Sequence, residues 1–237
     1  MTLTGSTPPE WATRWHRMPD PAALVHAVVQ RVLERAQAAI ADHAVFRIVL
    51  AGGGTPQAVY RDLAAAASDW SCWQVYFGDE RCLPVDDPER NSVMATQSWL
   101  GRVSIPGSNI HPILAELGPE TAATRYAAVI AKARPFDLVL LGMGEDGHTA
   151  SLFPGQRLDE SRSVLPVHHA PKPPPERVSL GLDALNDSEE VLILVTGSNK
   201  RAAIKRWKAG DNLPVAGVHG HHGVDVYIDA AADAQTI

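Results

Sequence analysis

The residues with the clearest chemical potential are His148 and Asp146, which lie two positions apart in a glycine-containing turn. A carboxylate beside an imidazole fixes its tautomer and keeps its free nitrogen basic, so this pair can act as a general base near neutral pH. The competing interpretation is that His148 only caps a following helix. A serine-hydrolase mechanism lacks its nucleophile, because no G-x-S-x-G sequence occurs.

Residues that could hold an anion follow other apolar segments. Gly52–Gly54 and Thr55 stand at a predicted helix start, where free backbone N–H groups and the helix dipole favour a phosphate. The alternative is a tight strand-to-helix turn without a ligand. Arg81 and Lys200 each follow an apolar strand, where a sugar phosphate would need a cation. Single charged residues are more often solvated surface groups.

Residues Gly142 to Gly147 match G-x-G-x-x-G after a strand, which by itself suggests a dinucleotide site. The context does not fit, because no acidic residue ends a strand at the expected distance of about 20 residues. The histidines at 168–169 and 219–222 have no partners at a recognisable metal-ligand spacing. We therefore expect neither a nucleotide cofactor nor a metal.

Apolar segments alternate with helical patterns along most of the chain. The predicted helices cover residues 21–43, 55–67, 89–100, 119–133 and 198–208. The predicted strands cover residues 46–51, 73–77, 136–142, 177–182, 191–195 and 224–228. This alternation predicts an α/β fold with a parallel sheet, whose strand-end turns should meet in one crevice. The Pro-rich segment 168–176 is expected to be an ordered loop.

Length, charge and cysteine content narrow the classes further. The chain has 237 residues and a net charge of −6 without a basic stripe, which argues against nucleic-acid binding. No apolar run of about 18 residues and no signal-like segment occurs, so we expect no membrane span and a cytoplasmic location. Cys72 and Cys82 are interpreted as small buried thiols without a disulfide. We expect one domain over 1–237, with a small sub-lobe within about 155–190.

Five segments, in order between about residue 45 and residue 215, carry a resemblance to a known family. They are 52–56 (GGGTP), 79–81 (DER), 142–154 (GMGEDGHTASLFP), 171–178 (PKPPPERV) and 196–200 (TGSNK). Together they closely resemble the 6-phosphogluconolactonase family, and the long segment around His148 is the most specific. The resemblance implies a Rossmann-like three-layer α/β/α fold with a mostly parallel sheet, of the NagB/RpiA/CoA-transferase-like type.

The resemblance also implies an activity. The expected reaction is hydrolysis of 6-phospho-D-glucono-1,5-lactone to 6-phosphogluconate, a step of the oxidative pentose phosphate pathway, with no metal or organic cofactor. The expected partner is this small phosphorylated lactone, while the sequence leaves open whether the chain is a monomer or a homodimer.

Site residues follow from the same resemblance. His148 would take a proton from the attacking water, Asp146 would orient His148, and Arg81 would complete the catalytic set. The implied substrate-binding residues are Gly53, Gly54, Thr55, Asp79, Gly144, Arg177 and Lys200. Which cation binds the phosphate and which stabilises developing negative charge stays open at this point.

Two alternatives share the family's fold. A glucosamine-6-phosphate deaminase is disfavoured because the histidine turn continues into residues 152–154 (LFP) instead of Asn-Glu-Pro, and because Arg81 follows the Asp-Glu pair. A non-catalytic sugar-phosphate sensor would carry a DNA-binding helix-turn-helix, for which about 20 residues before the first helix are too few. The chain also departs from the lactonase pattern, with Glu145 where Pro is common and with 226–230 (VYIDA) in place of a Trp-containing ending.

Overall fold

The computed structural model describes residues 13–156, 159 and 161–233. Its strands are β1 (Thr13–Met18), β2 (Phe46–Leu50), β3 (Trp73–Phe77), β4 (Asp79–Arg81), β5 (Phe136–Gly142), β6 (Val164–Val167), β7 (Arg177–Leu180), β8 (Ser188–Val195) and β9 (Val224–Asp229). Its α-helices are α1 (Pro21–His43), α2 (Gly54–Leu63), α3 (Asn91–Ser98), α4 (Pro119–Ile130), α5 (Leu182–Asn186) and α6 (Arg201–Lys208).

The main sheet is parallel and has the strand order β1-β9-β8-β5-β2-β3. Successive residues of β5 from Phe136 to Leu141 are all buried, so both faces of the sheet are covered. A second, antiparallel sheet has the order β4-β7-β6. The predicted three-layer α/β fold with a mostly parallel sheet is confirmed.

Helix α1 shows how local sequence sets an element. Asp20 accepts a hydrogen bond from the Ala23 amide at 2.8 Å and Pro21 follows it, an arrangement that suits a helix N-terminus. The helix ends at His43, and Ala44 follows as the C-cap with a left-handed φ of 63°. Its apolar face, which includes Leu24 and Val28, is buried in the core. This packing holds α1 against β2, β5 and β9 of the sheet.

The connections create a crevice at the carboxyl ends of the strands. β2 pairs with β3 on one side and with β5 on the other, so the chain leaves β2 in one direction and later returns to its opposite side. The loops after β2 and β5 therefore run to opposite faces of the sheet and leave a crevice between them. Ligand sites in such sheets usually lie in this crevice.

Two buried tyrosines define where β2 and β3 end. The Tyr60 hydroxyl accepts from the Ala51 amide at 2.9 Å and donates to the Ala51 carbonyl at 2.8 Å. Tyr126 makes the same pair of bonds to Phe77, at 2.8 and 3.2 Å. Burial raises the pKa of both hydroxyls, so they stay protonated and satisfy the last peptide groups of each strand.

Several elements differ from the prediction. β1, β4, β6 and α5 were not expected, and α2 ends at Leu63, earlier than predicted. Cys72 and Cys82 are free, as predicted, but they are only partly buried, so their interpretation as small buried thiols is wrong on burial. Among the described residues, no helix combines the length and the apolar character needed to cross a membrane.

Candidate active site

A cleft of about 640 Å³ opens at the carboxyl ends of β2, β5 and β8, beside β4 and β7 of the small sheet. This volume suits a small ligand such as a sugar phosphate. The predicted site residues that line it are Gly53, Gly54, Thr55, Asp79, Arg81, Gly144, His148, Arg177 and Lys200. Asp146 contacts His148 and does not line the cleft itself.

His148 is held by Asp146 through a short hydrogen bond. Nδ1 of His148 lies 2.5 Å from Oδ1 of Asp146, and the same oxygen accepts from the His148 backbone amide at 3.2 Å. Within the described chain Nε2 has no hydrogen-bond partner, and the side chain is 17% exposed to the cleft. The segment after His148 forms turns and a bridge between Thr149 and Leu152, so the helix-cap interpretation is wrong.

The electrostatics of this pair suit a neutral imidazole. Burial lowers the pKa of His148, and the hydrogen bond and charge of Asp146 offset part of that effect. Partial burial alone would raise the pKa of Asp146, but the hydrogen bonds from His148 bring it below its ordinary value. At neutral pH the pair is therefore a carboxylate beside an imidazole whose second nitrogen is free.

Gly144 is required by the close approach of this pair. A Cβ at position 144 would lie 2.0 Å from Nδ1 of His148 and 2.6 Å from Oδ1 of Asp146. The Gly144 amide also donates to the His148 carbonyl at 2.8 Å, which closes the turn. Glycine thus lets the backbone pass directly beneath the imidazole.

The N-terminus of α2 and the turn that carries Lys200 lie side by side. Gly53 is the N-cap of α2 and no side chain caps its first turn, so the helix begins at Gly54, one residue before the predicted start at residue 55. The Thr55 hydroxyl instead bonds the Thr196 hydroxyl at 2.7 Å, joining the loop after β2 to the loop after β8. Lys200 lines the same cleft, and burial lowers the pKa of its ammonium group. Free amides and a cation therefore face one region.

Arg81 and Arg177 form the wall contributed by the small sheet. They are opposed residues of β4 and β7. The Arg177 guanidinium donates to the carbonyls of Lys172, Pro173 and Pro174, each at 3.0 Å, and so holds the Pro-rich loop. Burial lowers the pKa of Arg177, and the charge of Arg81 acts in the same direction.

Asp79 lies buried in the cleft wall with two partners that the sequence analysis missed. Its Oδ2 accepts from the Ser151 hydroxyl at 2.6 Å and its Oδ1 accepts from Nδ2 of Asn91 at 2.9 Å. Asn91 lines the cleft and packs against Gly52, where a Cβ would lie 2.1 Å from its Oδ1. No local sequence signal marks Asn91, because each of these contacts comes from another part of the chain.

Glu80 anchors this wall from behind. It is completely buried, and its carboxylate accepts from the backbone amides of Asn91 at 2.7 Å, Ser92 at 2.9 Å and Arg81 at 2.9 Å. The buried Arg90 lies 3.5 Å from the same carboxylate. Glu80 therefore ties the N-terminus of α3 to the strand that carries Arg81.

Lys172 is a further cation of the cleft that was not among the predicted site residues, although it lies in one of the recognised segments. Its ammonium group lies 3.0 Å from Oε1 of Glu145. The described residues contain no cluster of three or more His, Cys, Asp or Glu side chains placed to hold a metal ion.

Comparisons with known proteins agree on one family. A sequence profile described as glucosamine-6-phosphate isomerases/6-phosphogluconolactonase matches residues 19–227. The 6-phosphogluconolactonase of Mycobacterium tuberculosis is 38% identical over 236 residues, covering 92% of this chain and 96% of that protein. The crystal structure of a Thermotoga maritima 6-phosphogluconolactonase has a TM-score of 0.86 at 30% identity and covers 92% of this chain and 100% of that one.

A monomeric glucosamine-6-phosphate deaminase is also similar, with a TM-score of 0.81. Its identity is 19%, over 92% of this chain and 98% of that chain, so the likeness shows the shared fold alone.

Proposed function

Because this chain belongs to the glucosamine-6-phosphate isomerase/6-phosphogluconolactonase family, we propose that it hydrolyses 6-phospho-D-glucono-1,5-lactone to 6-phosphogluconate in the pentose phosphate pathway. The observation that carries the mechanism is the geometry of His148. Its Nδ1 is occupied by Asp146 at 2.5 Å, while its Nε2 is free in the cleft. An imidazole held in this way can take a proton from water.

The first chemical step is attack of water on the lactone carbonyl carbon. As the water oxygen forms its bond to that carbon, one water proton passes to Nε2 of His148 and the carbonyl oxygen becomes an oxyanion. Asp146 keeps Nδ1 protonated and stabilises the imidazolium that forms. In the second step the bond between this carbon and the ring oxygen breaks, and the imidazolium returns its proton to that oxygen. The product is the open-chain acid.

The phosphate group belongs near Lys200 and the first turn of α2. The Thr55–Thr196 hydrogen bond places these two features side by side, and the first turn has no capping side chain. The amides of Gly53, Gly54 and Thr55 with the Lys200 ammonium group then supply donors and positive charge for a dianion. Binding at the phosphate holds the lactone carbonyl in a fixed place relative to His148.

Arg81 is assigned to the developing negative charge on the carbonyl oxygen. It lines the cleft on the small-sheet wall, and its side chain is held by the carbonyl of Glu89. A positive group fixed before the reaction stabilises an oxyanion without further reorganisation. Arg177 supports the same wall and the Pro-rich loop, and Asp79 with its fixed partners offers carboxylate oxygens to the sugar hydroxyls.

The test of this function is a turnover assay on the purified full chain. Freshly generated 6-phospho-D-glucono-1,5-lactone is supplied, and the rate of spontaneous hydrolysis is subtracted. We expect saturable lactone hydrolysis and no release of ammonia from glucosamine 6-phosphate. Ammonia release without lactone hydrolysis would replace this function by deamination. Tight sugar-phosphate binding without turnover of either compound would indicate a sensor.

A further inference from the structure

Glu145 bridges three loops at the edge of the cleft. It lies in the turn after β5, directly before Asp146. Its Oε1 accepts from Nζ of Lys172 at 3.0 Å, and its Oε2 accepts from Nδ2 of Asn199 at 3.4 Å. Lys172 belongs to the Pro-rich loop, and Asn199 belongs to the turn after β8. One carboxylate therefore links the histidine turn to two other walls of the cleft.

Lys172 is held in position by its backbone. The carbonyls of Lys172 and Pro173 both accept from Nη2 of the buried Arg177 at 3.0 Å. The Lys172 ammonium group, by contrast, is on a side chain that is 38% exposed and lines the cleft. Lys200 lines the same cleft. Burial is the main reason why the pKa of Lys200 is lowered, and the nearby charge of Lys172 lowers it further. The two ammonium groups thus face a common region.

Glu145 neutralises part of this positive region. The hydrogen bond from Lys172, followed by the charges of Lys172 and Lys200, holds the pKa of Glu145 below its ordinary value, so it is ionised at neutral pH. Its side chain is 54% exposed and, among the described residues, it accepts hydrogen bonds from Lys172 and Asn199. A phosphate monoester brings about −1.5 to −2 charges and three acceptor oxygens, against one charge on a carboxylate. A phosphate at this place would therefore compete with Glu145 for the same donor.

We propose that Lys172 is a further phosphate-binding cation and that Glu145 occupies it in the free protein, so that Glu145 sets the affinity for the phosphate group. The proposal rests on the proposed function, because it takes the cleft as the site of a phosphorylated sugar. Binding the phosphate transfers the Lys172 hydrogen bond from the carboxylate to a phosphate oxygen. Glu145 stands where Pro is common in the family, and in this proposal it helps to select the ligand.

The direct test measures the affinity of the full chain for 6-phosphogluconate by calorimetry, with gluconate as the unphosphorylated comparison. Glu145→Gln removes the competing charge, so its Kd for 6-phosphogluconate should fall about two- to fivefold, the range expected for an exposed ion pair. Lys172→Met should raise that Kd about tenfold, because a charge-assisted hydrogen bond is lost. In the Lys172→Met background, the further change Glu145→Gln should have a clearly smaller effect, because only the charge interaction with Lys200 is left. Gluconate binding should not respond to either change.

Glu34→Gln is the matched control, because Glu34 is an exposed, ion-paired glutamate that does not line the cleft. It should leave the Kd of 6-phosphogluconate unchanged. The proposal is overturned if Glu145→Gln leaves or raises the Kd, if it tightens binding to the same extent without Lys172, or if gluconate responds equally. It is also overturned if the unaltered chain does not bind 6-phosphogluconate. If the variants shift the Kd as predicted but the chain does not hydrolyse the lactone, the proposed function is wrong and this inference stands.

Discussion

Replacing Asp146 with Asn changes the charge behind the proposed base while keeping its shape. The carboxamide of the variant would retain an oxygen that can accept from Nδ1 of His148, but the bond would no longer be charge-assisted. Hydrogen bonds to charged groups contribute about 1.5–3 kcal/mol. If that stabilisation acts on the imidazolium formed in the transition state, its loss corresponds to a kcat about 10- to 150-fold lower. The distance of 2.5 Å between Nδ1 and Oδ1 places this pair among the stronger bonds.

The pH dependence supplies a second, independent signature of Asp146→Asn. His148 must be unprotonated to take a proton from water, so kcat/KM rises with pH through the pKa of His148 and then levels off. Burial lowers that pKa below its ordinary value of about 6.5, and Asp146 raises it in part. The unaltered chain should therefore lose activity only below about pH 6.5. Removing the charge of Asp146 removes a raising influence, so the acidic limb should move to lower pH.

The assay for Asp146→Asn is a series of initial lactone-hydrolysis rates between weakly acidic and neutral pH, each corrected for spontaneous hydrolysis. Asp211→Asn is the control, because Asp211 is a half-exposed surface partner of Arg206 outside the cleft. We expect a lower plateau together with a more acidic limb in the Asp146 variant alone. An unchanged plateau, or a limb displaced to higher pH, would refute the role given to Asp146.

Three further predictions concern the cleft and its support. Lys200→Ala should raise KM for the lactone about tenfold or more, because a charge-assisted contact is lost, and should change kcat little. Steady-state kinetics that show an unchanged KM would remove Lys200 from the phosphate site. Gly144→Ala should lower kcat on the order of 10²-fold, because the new Cβ displaces His148; wild-type kcat in a folded variant would contradict the packing argument. Glu80→Gln should lower the free energy of unfolding by about 3 kcal/mol, because Arg90 keeps a buried charge with one partner fewer. Urea denaturation that shows no loss of stability would exclude this anchoring role.

The parallel strands other than β1, together with α1, could be predicted because their sequences carry the signal locally. β5 is nearly continuous apolar sequence, and α1 has an apolar stripe with a cap at Asp20. β1 has no such pattern, because its Arg14 and His16 are polar residues that pair with Asp225 of the neighbouring strand β9. Such a strand is recognisable only once its partner is in place.

Two strands of the small sheet, β4 and β6, were missed for a related reason, whereas its third strand, β7, falls within the strand predicted over 177–182. β4 is three residues long and pairs with β7, which lies about a hundred residues further along the chain. The sequence Asp79-Glu80-Arg81 therefore looks like a polar turn until its distant partner supplies the hydrogen bonds. β6 has only four residues and contains Pro166.

The contacts of the candidate site also differ in whether local sequence could predict them. His148 and Asp146 are two residues apart, so their spacing alone predicts contact, whereas Asn91 reaches Asp79 only through the packing of α3 against β4. Lys172 depends on how Arg177 folds the Pro-rich loop. The functional roles of these residues, the single-domain organisation, the cytoplasmic location and the absence of a cofactor or nucleic-acid partner stay predictions.

The most direct test of the central claim is the kcat of His148→Ala for 6-phospho-D-glucono-1,5-lactone, measured beside its Kd for 6-phosphogluconate. Loss of a general base predicts a fall in kcat of about 10² to 10⁴. The Kd should stay close to that of the unaltered chain, because the phosphate contacts lie on other residues. A folded His148→Ala protein that hydrolyses the lactone at the normal rate would contradict the account.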